Sequence, residues 1–120
     1  MSKAIAITMT SAGGLDQPMD PRFGRAPVFL FVSGEGEEAQ RTLTNEAVAA
    51  AHGAGTSAAA LVAEQGAGVV ISGRFGPKAA EALQALGVEM WLAPNGLTGR
   101  EALQRYREGE LERWQMKEYR

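Results

Sequence analysis

Pro27–Ser33 reads PVFLFVS, a nearly unbroken apolar run that opens on a proline. The polar, glycine-rich turn GEGEE (Gly34–Glu38) follows it, and then Ala39–Thr44, where small or apolar residues alternate with polar ones. The first run is predicted to be a buried strand, because a strand tolerates proline at its start but not at its centre. The second has the pattern of a half-exposed edge strand, and a turn this short joins the two as an antiparallel hairpin. Any parallel strand added later therefore makes the sheet a mixed one.

Toward the N-terminus, Lys3–Met9 (KAIAITM) is a further buried strand, which Thr8–Gly14 (TMTSAGG) breaks into an irregular loop. That loop, Asp16–Ala26 (DQPMDPRFGRA), packs two acids, two arginines, two prolines and a glycine between two strands. Pro18 and Pro21 restrict φ and remove donors, so the loop is irregular and stiff. Toward the C-terminus, Asn45–Ala51 (NEAVAAA) fits a short helix or a loop, and His52-Gly53-Ala54-Gly55 interrupts it. A helix over TSAAALVAEQ from Thr56 ends at Gly66, where a C-terminal cap belongs. Ala67–Ser72 (AGVVIS) is a strand, and a helix with Pro77 in its first turn runs to about Leu86 before Gly87. Val88–Ala93 (VEMWLA) is the last predicted strand. Thr98 and Glu101 stand in capping-box spacing at the start of a third helix, which Gly109 ends or kinks. Leu111 and Trp114 then suggest a helical extension over 112–120.

The resulting order, β-β-β-α-β-α-β-α, predicts an α/β domain with a five-stranded mixed sheet and three helices, occupying residues 1–120 as one unit. Right-handed crossovers make strands four and five parallel to strand one, with strand two antiparallel and strand three parallel again. Four loops then share the carboxyl edge of the sheet, where ligands commonly bind in open α/β folds: Thr10–Ala26, Asn45–Gly55, Gly73–Gly76 and Pro94–Leu97.

Composition narrows the chemistry. A net charge of −2 over 120 residues gives no global attraction to nucleic acid, so an anion site must come from local clustering. The absence of cysteine excludes disulfides and thiolate-ligated metal. The N-terminus enters a strand pattern without the regions of a signal peptide, so a cytoplasmic location is expected. No nucleophile elbow, phosphate-loop lysine or GxGxxG pattern occurs, and the first strand lacks the acid that a metal-dependent nuclease would place there, so the expectation is a protein that is not an enzyme.

The loops suggest anion binding instead. Arg22, Arg25 and Arg74 fall on or near the carboxyl edge, beside helix starts after Gly53 and Gly55 and after Gly76. Guanidinium forks and free helix-start amides both favour anions. The competing interpretation is that the arginines pair with Asp16 and Asp20 and merely pin the loop. His52, the single histidine, is a candidate metal ligand or a helix-capping residue. Trp91, Phe75 and Trp114 are either partner anchors or packing residues. An empty polar site is also expected to leave Gly13–Pro21 poorly ordered.

The stretches LDxxxxxRFGRA, HGAG before the first helix, GxxGPxAxxAL and GxTxxEALxxYxxGxL resemble the dinitrogenase iron–molybdenum cofactor biosynthesis family over about residues 4–111. The resemblance implies a ribonuclease-H-like fold. It also implies a carrier for an iron–molybdenum or iron–sulfur type cluster or precursor. The residues expected to bind such a cargo are Arg22, Phe23, Gly24, Arg25, His52, Gly53, Gly55, Arg74 and Gly76. Nitrogenase-associated relatives commonly carry His-Phe-Gly where this chain has Arg22-Phe23-Gly24. Arginine has no lone pair to offer a metal and acts on an anionic cluster from outside. Partners are expected among cluster-assembly proteins, with neither nucleic acid nor membrane involved, for a monomer or weak homodimer. The alternative is an interaction module for a cluster-assembly ATPase.

Overall fold

β1 (Ala4–Met9) is apolar at nearly every position because both its faces are covered. In the computed structural model, which describes residues 4–33, 40–45 and 53–115, it lies at the centre of a mixed sheet ordered β3-β2-β1-β4-β5-β6. β2 (Val28–Val32) runs antiparallel to β1, and β3 (Gln40–Thr44) antiparallel to β2. β4 (Ala67–Ser72) and β5 (Glu89–Leu92) continue parallel to β1 on the other side. The hairpin and both parallel crossovers are as expected, and the hairpin turn over 34–39 lies outside the described residues.

Alternation along each strand sorts the core into two layers. Ala6, Phe29, Phe31 and Val70 face α1 (Ala54–Glu64) and α2 (Pro77–Ala85). Ile5, Ile7, Leu30, Val32 and Ile71 face α3 (Gly99–Arg107) and the loop that follows β1. The helices begin and end close to where their signals stand. Gly66 and Gly87 take up positive φ just beyond α1 and α2, a conformation that costs a residue with a Cβ about 1–2 kcal/mol.

α3 opens on a complete capping box. The Thr98 hydroxyl accepts from the Glu101 amide at 3.1 Å, and the Glu101 carboxylate accepts from the Thr98 amide at 2.9 Å. Replacing Thr98 by alanine leaves the Glu101 amide uncapped, and a loss of about 1 kcal/mol is expected in urea unfolding.

The C-terminal stretch departs from expectation. Instead of a helical extension over 112–120, Glu112–Arg113 form a sixth strand, β6, antiparallel to β5, so the sheet has six strands rather than five. Gly109, at φ 74°, ends α3 and turns the chain back. The outer edge of β5 then supplies partners: Arg113 pairs with Trp91, and the Trp114 amide donates to the Met90 carbonyl at 2.9 Å. Leu111 and Trp114 would share one side of a helix. As strand neighbours they go to opposite layers, Leu111 to the α3 side and Trp114 to the α1/α2 side. Residues 116–120 lie outside the described residues.

Candidate functional site

The loop after β1 is held by its own main chain. The Thr10 amide donates to Pro18 O at 3.1 Å and the Asp20 amide to Thr8 O at 2.8 Å, which folds the loop back over the end of β1. The buried Thr8 hydroxyl adds a bond to Asp20 O at 2.6 Å and lies 2.9 Å from the Ser72 hydroxyl at the end of β4. Two loop carbonyls satisfy the start of α3: Gly99 N donates to Gln17 O and Arg100 N to Leu15 O. The Phe23 amide reaches Arg74 O at 3.3 Å, joining this loop to the one after β4. Leu15 and Met19 are buried in the α3-side core. Within Gly13–Pro21, the segment expected to be poorly ordered when the site is empty, the Gln17, Met19 and Asp20 amides donate to Gly14 O, Leu97 O and Thr8 O.

The side chains of the RFGR stretch go different ways. Phe23, 1% exposed, lies between Phe29 and Phe75 at ring-centroid distances of 5.6 and 5.4 Å, so it supports the site from the core and does not line it. Arg22 turns back on Asp20: its amide donates to Oδ1 at 2.8 Å, and its guanidinium lies 3.3 Å from Oδ2. That hydrogen bond raises the guanidinium pKa further. Asp16 pairs with neither loop arginine. It accepts from Arg100 of α3 at 2.8 Å, and this bond holds its carboxyl below the usual carboxylate range. The pinning interpretation therefore holds for Arg22.

Gly24 and Arg25 lie elsewhere, on the lip of a groove of about 430 Å³ whose walls are the starts of α1 and α2, residues 53–56 and 76–79. Close packing of small residues brings the two helix starts together. A Cβ on Gly24 would lie 3.1 Å from Gly55 Cα, and one on Gly55 would lie 2.9 Å from Ala79 Cβ. Neither N-cap, Gly53 nor Gly76, has a side-chain cap, and neither first turn contains an acid. Among the described residues no acid lines the groove to offset the partial positive charge of the two helix ends, and Arg25 and Lys78 stand on the same lining. The lip is fixed by Asn45, fully buried, whose amide donates to Ala26 O at 2.8 Å and to Gly24 O at 3.4 Å.

Of the residues expected at the site, Gly24, Arg25, Gly53, Gly55 and Gly76 come together in this groove. Arg22 and Arg74 pair with each other as bridge partners beside it without lining it, and His52 lies outside the described residues. Lys78 and Asn45 were not anticipated. Lys78 had a signal, since a cation in the first turn of a helix runs against the helix dipole. Asn45 had none, because its role depends on a contact 19 residues away in the chain. Phe75 is buried, while Trp91 packs edge-on against Tyr106 at 5.4 Å and Trp114 lies against the core. Among the described residues no group of three histidines or acids is placed to hold a metal ion, and no helix is long and apolar enough to cross a membrane.

A profile described as "Dinitrogenase iron-molybdenum cofactor" matches residues 1–109. The chain belongs to the dinitrogenase iron-molybdenum cofactor family. Within that family, the apo form of the orange protein from Desulfovibrio gigas is 40% identical and superposes with a TM-score of 0.88, covering 95% of this chain and 94% of that one. A NifB-like protein from Thermotoga is 29% identical, with a TM-score of 0.79 and coverage of 94% and 93%. An uncharacterized protein of Methanocaldococcus jannaschii is 32% identical over 99 residues, 81% of this chain and 83% of that protein.

Proposed function

We propose that this member of the dinitrogenase iron-molybdenum cofactor family is a non-enzymatic binding or carrier module for an anionic cargo, of the class of iron–molybdenum or iron–sulfur clusters and their precursors. The observation that carries the proposal is the meeting of two helix starts without side-chain caps or first-turn acids in one groove with Arg25 and Lys78. The donor set suits an anion gripped from outside: amides and cations are present, and cysteine is absent. His52 is adjacent in sequence to Gly53 on the groove wall and is the one imidazole that could add a lone pair to the cargo. Family membership supports the cluster class, and the ribonuclease-H-like description of the fold belongs to the same proposal. Such a carrier would work in the cytoplasm, and its partners would be the cluster-assembly proteins that load and unload it.

The test is a titration with three probes: molybdate, inorganic phosphate and isolated iron–molybdenum cofactor. At a hundred times its dissociation constant a ligand should add about 2.7 kcal/mol, visible as a raised melting temperature. The double variant Arg25→Glu, Lys78→Glu is expected to bind at least about tenfold more weakly, since it replaces both cations with like charges facing the anion. Unchanged melting of the wild-type protein with all three probes would overturn the proposal.

A further inference from the structure

The chain holds two asparagines, and the fold treats them in opposite ways. Asn45 is fully buried, and its carboxamide donates to Ala26 O and Gly24 O. Asn95 is exposed on the turn that leaves β5, and the equally exposed Gly96 follows it. Gly96 takes φ 91°, and a Cβ built there would meet nothing within 4 Å beyond its chain neighbours, so the pair stands in open solvent. Among the described residues neither the Asn95 carboxamide nor the Gly96 amide makes a hydrogen bond.

Those features describe a reactive pair. The main-chain nitrogen that follows an asparagine can close a five-membered ring on the side-chain carbonyl carbon, and attack within one chain gains from proximity. A side chain on the following residue crowds that nitrogen, and glycine has none. Burial and hydrogen bonds hold a carboxamide out of reach of the attack, as at Asn45. Asn95 has neither protection.

We propose that Asn95-Gly96 is a site of spontaneous covalent modification, at which the Asn95 carboxamide becomes a carboxylate through a succinimide. The Gly96 nitrogen gives up its proton and bonds to Asn95 Cγ. The Cγ–Nδ2 bond breaks, and the side-chain nitrogen leaves as ammonia with that proton. Water then opens the ring at either carbonyl, so water enters, ammonia leaves and no oxidation state changes. One product is an aspartyl residue in the normal chain. The other is an isoaspartyl residue, in which the main chain runs through the former side chain. The turn separates their consequences, because it is short and held at both ends: the Ala93 amide donates to Ser72 O at 2.9 Å, and Leu97 O accepts from the Met19 amide at 3.0 Å. The isoaspartyl form puts one extra main-chain atom between those anchors and strains the Met19 contact. The aspartyl form adds only a negative charge at an exposed position.

The experiment ages the full folded chain at neutral pH and physiological temperature and follows, by mass spectrometry of proteolytic peptides, the gain that marks exchange of an amide for an acid. The peptide containing Asn95 is expected to gain it at least about tenfold faster than the one containing Asn45, as two products separable by chromatography. Asn95→Gln, whose longer side chain needs a six-membered ring, should slow the gain at least about tenfold without moving the melting temperature. Asn95→Asp supplies the unrearranged product directly and should melt with the wild type, whereas the isoaspartyl fraction of aged protein should melt lower. Folded protein that stays unmodified while urea-unfolded chain reacts would overturn the proposal, because the turn would then hold the pair out of attack geometry. Equal rates at the two asparagines, an undiminished gain in Asn95→Gln, or no reaction in either state would do the same. An isoaspartyl fraction that melts with the wild type would overturn the strain assigned to the turn.

Discussion

Phe23→Ala is expected to lower the unfolding free energy by about 3–5 kcal/mol, the range for deleting a fully buried aromatic ring. The ring stands between Phe29 and Phe75, so its removal opens a cavity bounded by β2 and by the loop after β4. Those neighbours are poorly placed to collapse into it. Phe29 is held in the middle of the sheet, and the Phe23 main chain is tied to Arg74. Phe23→Leu keeps most of the volume and should cost under about 2 kcal/mol. Urea unfolding of the two variants separates a core role from a ligand contact: a ring that only touched cargo in the groove would leave Phe23→Ala within about 1 kcal/mol of wild type. Anion affinity should fall too, but only as the adjoining Gly24–Arg25 lip loosens.

The second large effect is expected at Gly73. Its backbone is not in the left-handed region, so alanine there is conformationally permissible and would by itself stabilise slightly by restricting the unfolded chain. Space decides the sign. An added Cβ would lie 2.8 Å from Pro21 Cα, Cβ and O, and main-chain atoms of a proline cannot rotate aside as a flexible side chain does. A net loss of about 1–3 kcal/mol is expected for Gly73→Ala, with the loop around Pro21 displaced from β4. Gly99 makes the contrast. Its added Cβ would meet the Sδ and Cε of Met9 at 2.9 Å, the far end of an adaptable chain, and its one main-chain neighbour, Leu15 O, lies farther off at 3.3 Å, while alanine improves helix propensity in α3. Gly99→Ala should therefore stay within about 1 kcal/mol of wild type. Equal losses for the two variants in parallel denaturant melts would contradict this account of the contacts.

Much of the architecture was legible in the chain because its determinants are local. The apolar runs of β1, β2 and β4, the glycines after α1 and α2, and the Thr98–Glu101 box each act within a few residues, where periodicity and capping chemistry decide the conformation. The absence of cysteine likewise determined, without any structure, that thiolate ligation is impossible. Which neighbouring residue points where is a different matter. Arg22, Phe23 and Arg25 lie within four positions, yet one pairs with Asp20, one enters the core and one reaches the groove. An irregular loop has no fixed period, so those directions follow from long-range bonds to Thr8, Arg74 and Leu97. The sixth strand was decided in the same way. ELERW has helical spacing on its own, and only the open side of β5, brought near by the crossover through α3, makes a strand the better partner for its main chain. The groove itself exists only in the fold, because Gly24, Gly55 and Ala79 are far apart in sequence and meet only where the starts of α1 and α2 converge on the carboxyl edge of the sheet.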